Sequence, residues 1–188
     1  MAAVEHAADT SAAVAAADAA AAAAATSDPS ERLSIASAPR RVLSIQSHVV
    51  HGYVGNKCAT FPLQLLGFDV DPVNSVHFSN HTGYPSGFAG DVLQGEQLWK
   101  LYNGLEKNGL AGQYSHVLTG YIGSEDFLRT VVRVVRSVRE AAAATTGRGN
   151  TIVPYICDPV LGDNGKCYVP ESLIEVYVRT CVRACVHE

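Results

Sequence analysis

Residues 41–56 read RVLSIQSHVVHGYVGN. The β-branched run from Arg41 to Ser47 predicts a strand, and it ends in a glycine-punctuated loop, Ser47-His48-Val49-Val50-His51-Gly52-Tyr53-Val54-Gly55. Asn56 then has the right side chain for a helix cap, and Ala59, Leu63, Leu65 and Leu66 carry the helix on to Gly67. Strand, glycine loop and helix make one βα unit. Repetition of that unit builds a parallel sheet, so the class predicted is α/β.

Downstream the alternation continues. A second strand is predicted around Val70 to Phe78, followed by a helix from Gln94 to Asn108, where Leu98, Leu101, Tyr102 and Leu105 recur on one face and Gly109 supplies a stop. A third strand is expected over His116 to Tyr121. Ser124 then opens a helix with Glu125 and Asp126 at its start, Arg129, Arg133, Arg136 and Arg139 further on, and a buried stripe of Phe127, Val131, Val135 and Val138. Ala141 to Asn150 has low complexity and reads as a flexible connection into a fourth strand, Ile152 to Cys157. A last helix is expected beyond Pro170, with Leu173, Ile174 and Tyr177 inward.

Upstream the texture is different. Alanine fills 18 of the first 40 positions, and methyl groups alone give little to bury, so residues 1–40 are expected to form a low-complexity, disordered arm. A plastid or mitochondrial transit peptide is the functional rival, but such peptides are poor in acids and rich in arginine, and here five acids face two arginines. Residues 41–188 hold thirteen acids and twelve bases, a net −1, which gives neither a nucleic acid nor an anionic membrane an electrostatic footing. Apolar runs of the length a bilayer needs, roughly 18 residues, occur only in alanine-rich stretches that carry acids. With 47% apolar residues the chain of 188 can build a core, and one main domain is expected. Five irregularly spaced cysteines (Cys58, Cys157, Cys167, Cys181, Cys185) read as free thiols of a reducing compartment, so a cytoplasmic location is expected, with the plastid as alternative.

In open α/β sheets, ligands bind beyond the carboxyl ends of the strands. The residues there are Ser47, then Asn80-His81-Thr82, then Thr119 and Tyr121, then Asp158 and Asp163. Asp158 and Asp163 flank Pro159-Val160-Leu161-Gly162, a turn expected to return two carboxylates to one mouth, where hard oxygen ligands suit hydrated Mg²⁺ beside nucleotide phosphates. Solvated turn aspartates are the alternative. Gly52-Tyr53-Val54-Gly55 does not fit GxGxxG, and Gly162-Asp163-Asn164-Gly165-Lys166-Cys167 lacks the spacing and hydroxyl of a P-loop, which disfavours a dehydrogenase or a Walker ATPase. His48 with His51, His77 with His81, and Cys181 with Cys185 do not have zinc-site spacing; turn histidines and apolar thiols on a helix face are expected instead.

Four stretches, SIQSHVVHGYVGN (44–56), FPLQLLGFDVDPVNSVHFSNHTGY (61–84), VLTGY (117–121) and ICDPVLGDNGKCYVP (156–170), resemble eukaryotic pyridoxal kinases, plant ones most. The resemblance runs from Arg41 to Tyr177 and implies a ribokinase-like αβα sandwich with a mostly parallel central sheet, incomplete in its carboxyl-terminal half. It implies that Ser47 and Thr82 hold the pyridoxal ring through its polar substituents, that Val54, Phe78, His81 and Tyr121 shape the pocket, and that Tyr168 closes over the ring. By the same resemblance Asp158 faces ATP and its metal, and Asp163 supports that phosphate and cation site. The implied reaction moves the ATP γ-phosphoryl group to the 5′-hydroxyl of pyridoxal, pyridoxine or pyridoxamine, with Mg²⁺ and a monovalent cation such as K⁺ as cofactors and a homodimer as the assembly.

The sequence also departs from that family. Beyond Tyr177 the family continues through more sheet, a TPN-type nucleotide segment and a glycine-rich GTGD loop whose aspartate is the catalytic base, whereas residues 178–188 here read VRTCVRACVHE. No catalytic residue is therefore assigned. The expected organisation is an arm over 1–40, a kinase-like part over 41–177 and a divergent tail over 178–188. Loss of a positioned base costs about 10²- to 10⁴-fold in rate, so a truncated, inactive chain with an exposed sheet edge is expected. A non-catalytic vitamer-binding or dimerising regulator, and a kinase of another hydroxymethyl heterocycle, are the alternatives.

Overall fold

β1 (Arg41–Val49) is the central strand of a five-stranded sheet ordered β3-β2-β1-β4-β5. β2 (Asp69–Phe78) and β4 (His116–Thr119) flank it in parallel, β5 (Tyr155–Cys157) continues the parallel side beyond β4, and β3 (Gly90–Val92) closes the other edge antiparallel to β2. A computed structural model describes residues 40–146, 152–167, 169–182 and 184; the expected arm therefore lies outside the described residues except for Arg40. Among the described residues no helix is long and apolar enough to cross a membrane.

A central parallel strand must satisfy both faces. The odd residues Leu43 and Ile45 enter one apolar core with the long helix α3 (Glu125–Thr146), whose Phe127, Leu128, Val131, Val135 and Val138 are all buried. The even residues Ser44 and Gln46 turn to α1 (Gly55–Leu65), whose single buried residue is Asn56. α2 (Gly95–Lys107) joins α3, with Leu98 and Tyr102 buried and the Arg133 guanidinium 3.4 Å from the centre of the Trp99 ring. Its start is a reciprocal cap in which Gln94 and Gln97 each bond the other's backbone. At α3 the Phe127 N–H donates to Ser124 Oγ at 3.2 Å, as a capping serine should.

Several expectations need correction. Asn56 does not cap α1: Val54 holds that position, and the Asn56 amide turns inward. Ala141 to Thr146 are the last turns of α3 rather than a flexible connection, because alanine extends a helix readily and Ala142 has core to cover; residues 147–151 lie outside the described residues. Leu101 faces water at 51% exposure, so the α2 stripe is narrower than its spacing suggests. β4 stops at Thr119 and β5 begins at Tyr155. β3 and a small hairpin, β6 (Gly162–Asp163) with β7 (Lys166–Cys167), add to the strands that the sequence predicts. The last helix, α4 (Glu171–Val176), runs on into a π-helical stretch, Tyr177–Val182. Cys181 is buried there, and Cys185 lies outside the described residues.

Candidate functional site

β2, β1, β4 and β5 are parallel neighbours, so their carboxyl ends line one edge of the sheet. The chain leaves β1 toward β2 and later returns on its other side as β4, which makes the end of β1 the topological switch point.

Ser47 lies at that point. The loop after it zips onto the end of β2, with the Val50 and His51 N–H groups donating to the carbonyls of Phe78 and Ser79, both at 2.9 Å. Gly55 then starts α1 hard against β1, where a Cβ would sit 2.7 Å from both the carbonyl and the hydroxyl oxygen of Ser47, at a φ of +29°. Only glycine fits that approach. It leaves the Ser47 hydroxyl half-buried beside the helix start. Val54, half-buried, accepts the Lys57 N–H at 2.9 Å, and Lys57 Nζ donates back to the Val50 carbonyl at 3.0 Å, closing the loop.

At the end of β2, Phe78 packs on Phe88 with ring centres 4.5 Å apart. Asn80 Nδ2 donates to the carbonyls of His81 and Gly87, both at 3.0 Å, and ties residues 80–89 into a flap that returns as β3. On this flap His81 rests on Tyr84 at 4.5 Å and its Nδ1 accepts the Gly83 N–H at 3.2 Å; His81 and Thr82 are both exposed. Beyond β4 the Gly120 N–H donates to the Ile45 carbonyl at 3.2 Å, and the Tyr121 carbonyl accepts from the Ser75 hydroxyl at 3.0 Å. Residues 120–122 therefore cross above the end of β1 toward β2, carrying half-buried Tyr121 over the switch point. Beyond β5 the Asp158 N–H donates to the Thr119 carbonyl at 2.9 Å while its side chain faces solvent.

The backbone thus brings Ser47, Phe78, Tyr121 and Asp158 to one edge and hangs His81 and Thr82 on the flap beside it. Asp163 follows on β6, its backbone paired with Lys166 across an Asn164-Gly165 turn whose φ angles, 48° and 75°, both lie in the left-handed region. The Asp163 side chain and Tyr168 lie outside the described residues. Among the described residues no three His, Cys, Asp or Glu side chains gather as a metal site. His48 pairs with His77 across β1 and β2, rings 4.9 Å apart, rather than with His51. Burial, then the neighbouring His77 and Lys57, lower the His48 pKa.

Three features escaped the sequence reading. Asn56 is a buried hub: its Oδ1 accepts the Ser44 hydroxyl at 2.8 Å, and its Nδ2 donates to the Gln46 carbonyl (3.2 Å), the Val73 carbonyl (3.0 Å) and Asn74 Oδ1 (2.9 Å). Polar Ser44 and Gln46 inside an apolar run were its signal. Beneath the rim, the Thr119 and Tyr155 hydroxyls lie 3.1 Å apart and Tyr155 donates to Cys181 Sγ at 3.5 Å. Cys157 shares this cluster; hydrogen bonding from Cys181, against the opposing effect of burial and with further bonds from Tyr155 and Thr119, lowers its thiol to about 6. Burial, with the neighbouring sulfurs adding to it, pushes the Tyr155 phenol up. At the opposite, amino edge a cleft of about 310 Å³ is lined by Arg40, Arg41, Asp69, Gly112, Gln113, Thr145 and Thr146. Arg41 is occupied there, pairing with Asp69 at 2.9 Å and Asp71 at 3.0 Å.

No family model matches the chain. Curated relatives do. A pyridoxal kinase of Arabidopsis thaliana is 57% identical over 152 residues, 81% of this chain and 46% of that protein. The human pyridoxal kinase is 51% identical over 141 residues, 73% of this chain and 42% of its own length. Among solved structures, pyridoxal kinase from Leishmania donovani in complex with ADP and pyridoxamine superposes with a TM-score of 0.68 at 48% identity, over 73% of this chain and 47% of that one. The same protein with ADP and pyridoxine also gives 0.68, at 47% identity, over 74% of this chain and 47% of that one. The chain therefore spans about half the length of the relatives it matches. Over that part it shares their α/β fold.

Proposed function

We propose that this chain, which belongs to the pyridoxal kinase family and has the ribokinase-like fold over the part it shares with that family, carries the vitamer side of a cleft. In that cleft ATP phosphorylates the 5′-hydroxyl of pyridoxal, pyridoxine or pyridoxamine. The observation that carries the reading is the convergence of four parallel strand ends on one rim, in a fold whose solved neighbours hold ADP with pyridoxamine or pyridoxine.

The roles follow from what each side chain can do at that rim. The Ser47 hydroxyl makes no side-chain hydrogen bond among the described residues, so it is available to a polar ring substituent, with Thr82 meeting a second one from the flap. Phe78, packed on Phe88, offers an apolar wall, and Val54, His81 and Tyr121 complete the pocket. Tyr168 is assigned the closing position. The Asp158 carboxylate is exposed and forms no ion pair among the described residues, which suits a hydrated Mg²⁺ carried in with the nucleotide rather than a cage of protein ligands. The metal would neutralise phosphate charge during transfer, Asp163 would support the same site, and a monovalent cation such as K⁺ is assigned beside it.

Among the described residues no group is assigned as catalytic base, so turnover by the 188-residue polypeptide alone is expected to fall by about 10²- to 10⁴-fold from that of a whole kinase. The parts proposed are an arm over 1–40, the kinase part over 41–177 and a tail over 178–188, acting in the cytoplasm, with the plastid as alternative. A second reading, a vitamer-binding or homodimerising regulator, draws on the outward face of α1, where Phe61, Leu65 and Leu66 are 65%, 71% and 55% exposed. That face is also the one proposed for a homodimer.

The test is titration of the purified chain with pyridoxal, alone and with MgATP, following binding calorimetrically and pyridoxal 5′-phosphate by absorbance. Saturable vitamer binding with little turnover is expected, weakened about five- to ten-fold in Ser47→Ala, the worth of one hydrogen bond. Absence of saturable binding, or an unaffected Ser47→Ala, overturns the assignment of this rim. Full turnover overturns the expectation of inactivity, and binding with no turnover at all favours the regulator.

A further inference from the structure

We propose, on the vitamer reading above, that Ser75 is a positioning residue for the ring, a buried hydroxyl that holds Tyr121 over the pocket from a bulge in β2. β1 and β2 pair Gln46 with Asn74 and then His48 with His77, so Ser75 and Val76 together oppose the one residue Ser47. An extra residue of this kind breaks the alternation of a strand and re-aims its side chains. Ser75 is 3% exposed, and its hydroxyl donates to the Tyr121 carbonyl at 3.0 Å, across 46 positions of sequence. Its own carbonyl accepts the Leu93 N–H at 2.9 Å, just past β3. One residue opposite Ser47 therefore grips both the return of the flap and the segment that carries Tyr121.

That segment needs an outside grip. Residues 120–124 belong to no helix or strand, so hydrogen bonds from neighbouring elements set their path. The Gly120 N–H donates to the Ile45 carbonyl at 3.2 Å, at a point where a Cβ on Gly120 would lie 2.6 Å from Gln46 Oε1, and this fixes how closely the segment passes over β1. The orientation of the next peptide is still open. The Ser75 hydroxyl settles it by taking up the Tyr121 carbonyl, while the phenol end of the ring lies against Gly123, where a Cβ would come within 3.0 Å of the Tyr121 hydroxyl. With its peptide pinned at one end and its ring resting on a glycine at the other, Tyr121 has a defined place over the switch point. An aromatic wall is worth most to a pyridine ring at a set separation and tilt. Ser75, too buried to touch the vitamer, acts on it through Tyr121.

The test is a double-mutant cycle in the full chain: wild type, Ser75→Ala, Tyr121→Ala and the pair together, each titrated calorimetrically with pyridoxal, with urea midpoints to record stability. Ser75→Ala should weaken binding about three- to ten-fold, the worth of one hydrogen bond, and should add less than about two-fold once Tyr121 is already alanine. A Ser75 that served only stability would lower the urea midpoint and leave the affinity of the folded protein alone, or weaken it alike on both backgrounds; either result overturns the proposal. So does a Tyr121→Ala that binds as the wild type does, because Ser75 would then have nothing to position. Where Ser75→Ala does not fold, Ser75→Cys takes its place, close in size but a weak donor, and the same coupling to Tyr121 is expected. Absence of saturable binding by the wild type is a different failure: it overturns the vitamer reading itself and this role with it. Binding that Ser47→Ala weakens and Ser75→Ala does not leaves that reading standing and overturns the role of Ser75 alone.

Discussion

On one face of β1, Leu43 and Ile45 share a core with Leu128, Val131, Val134 and Val135 of α3, all 2% exposed or less. On the other face, Ser44 and Gln46 meet Asn56 of α1 in a hydrogen-bonded cluster, and the outer side of that helix leaves Phe61 and Leu65 in water. The apolar face gains about 1.5–3 kcal/mol for each large side chain it buries. The polar face gains only about 0.5–1.5 kcal/mol net per hydrogen bond, but loses more when a buried partner is left alone. Stability thus comes from the α3 side. The α1 side fixes position: Asn56 anchors the start of the helix next to Gly55, and Gly55 is what presses on Ser47 at the rim.

The largest effect expected is on the α3 side. Leu128→Ala removes a fully buried side chain and should cost about 2–5 kcal/mol, read as a lowered urea midpoint with loss of amide protection across the whole sheet. Asn56→Ala should cost less, about 1–3 kcal/mol, because it strands the Ser44 hydroxyl and the Gln46 and Val73 carbonyls without water to replace the amide. Its damage should also be local. Hydrogen exchange should quicken in Gly55–Leu65 and around Ser47 while α3 keeps its protection, and vitamer binding should weaken with it. Equal loss in α3 would show that the two faces are one cooperative unit.

The same contrast explains how much was legible beforehand. β1, β2, α2 and α3 announce themselves through apolar periodicity, since each buries a stripe against the core. The order of βα units is also enough to place Ser47, Tyr121 and Asp158 at one edge, because parallel strands must all end on the same side. Periodicity says nothing about Asn56, which is buried for its hydrogen bonds, and a short polar residue before a helix resembles a cap whichever way it points. β3 is exposed along its length and exists through pairing with Val76–Phe78, a long-range contact without a local signal. The β6–β7 hairpin did carry one, the Asn164-Gly165 pair, whose left-handed turn suits two adjoining strands. Exposure of His81 and Thr82 depends on how Asn80 ties the flap, and that too is tertiary.

The smallest effect expected sharpens the comparison through pH. Among the described residues the two histidines with lowered pKa lie on the polar face: His48, and His116, which burial holds below its ordinary value between the Phe68 ring at 5.4 Å and the Ser115 hydroxyl at 2.9 Å. A histidine whose pKa falls on folding is kept neutral in the native state, so below about pH 6.5 the unfolded chain binds protons that the folded chain refuses. The stability that neutral His48 and His116 allow is therefore present above about pH 6.5 and drains away as the pH falls through their folded values, while ordinary carboxylates stay ionised until below about pH 5. Urea midpoints should decline from pH 7.5 to 5.5, and His116→Gln, which keeps a side-chain amide for Ser115, should flatten that decline without abolishing it, since His48 still contributes. Exchange in α1 should rise at pH 5.5 before exchange in α3 does, because the protons enter on its side of the sheet. A wild-type midpoint that holds steady over this range, or an α3 that loosens first, would mean that acid does not distinguish the two faces.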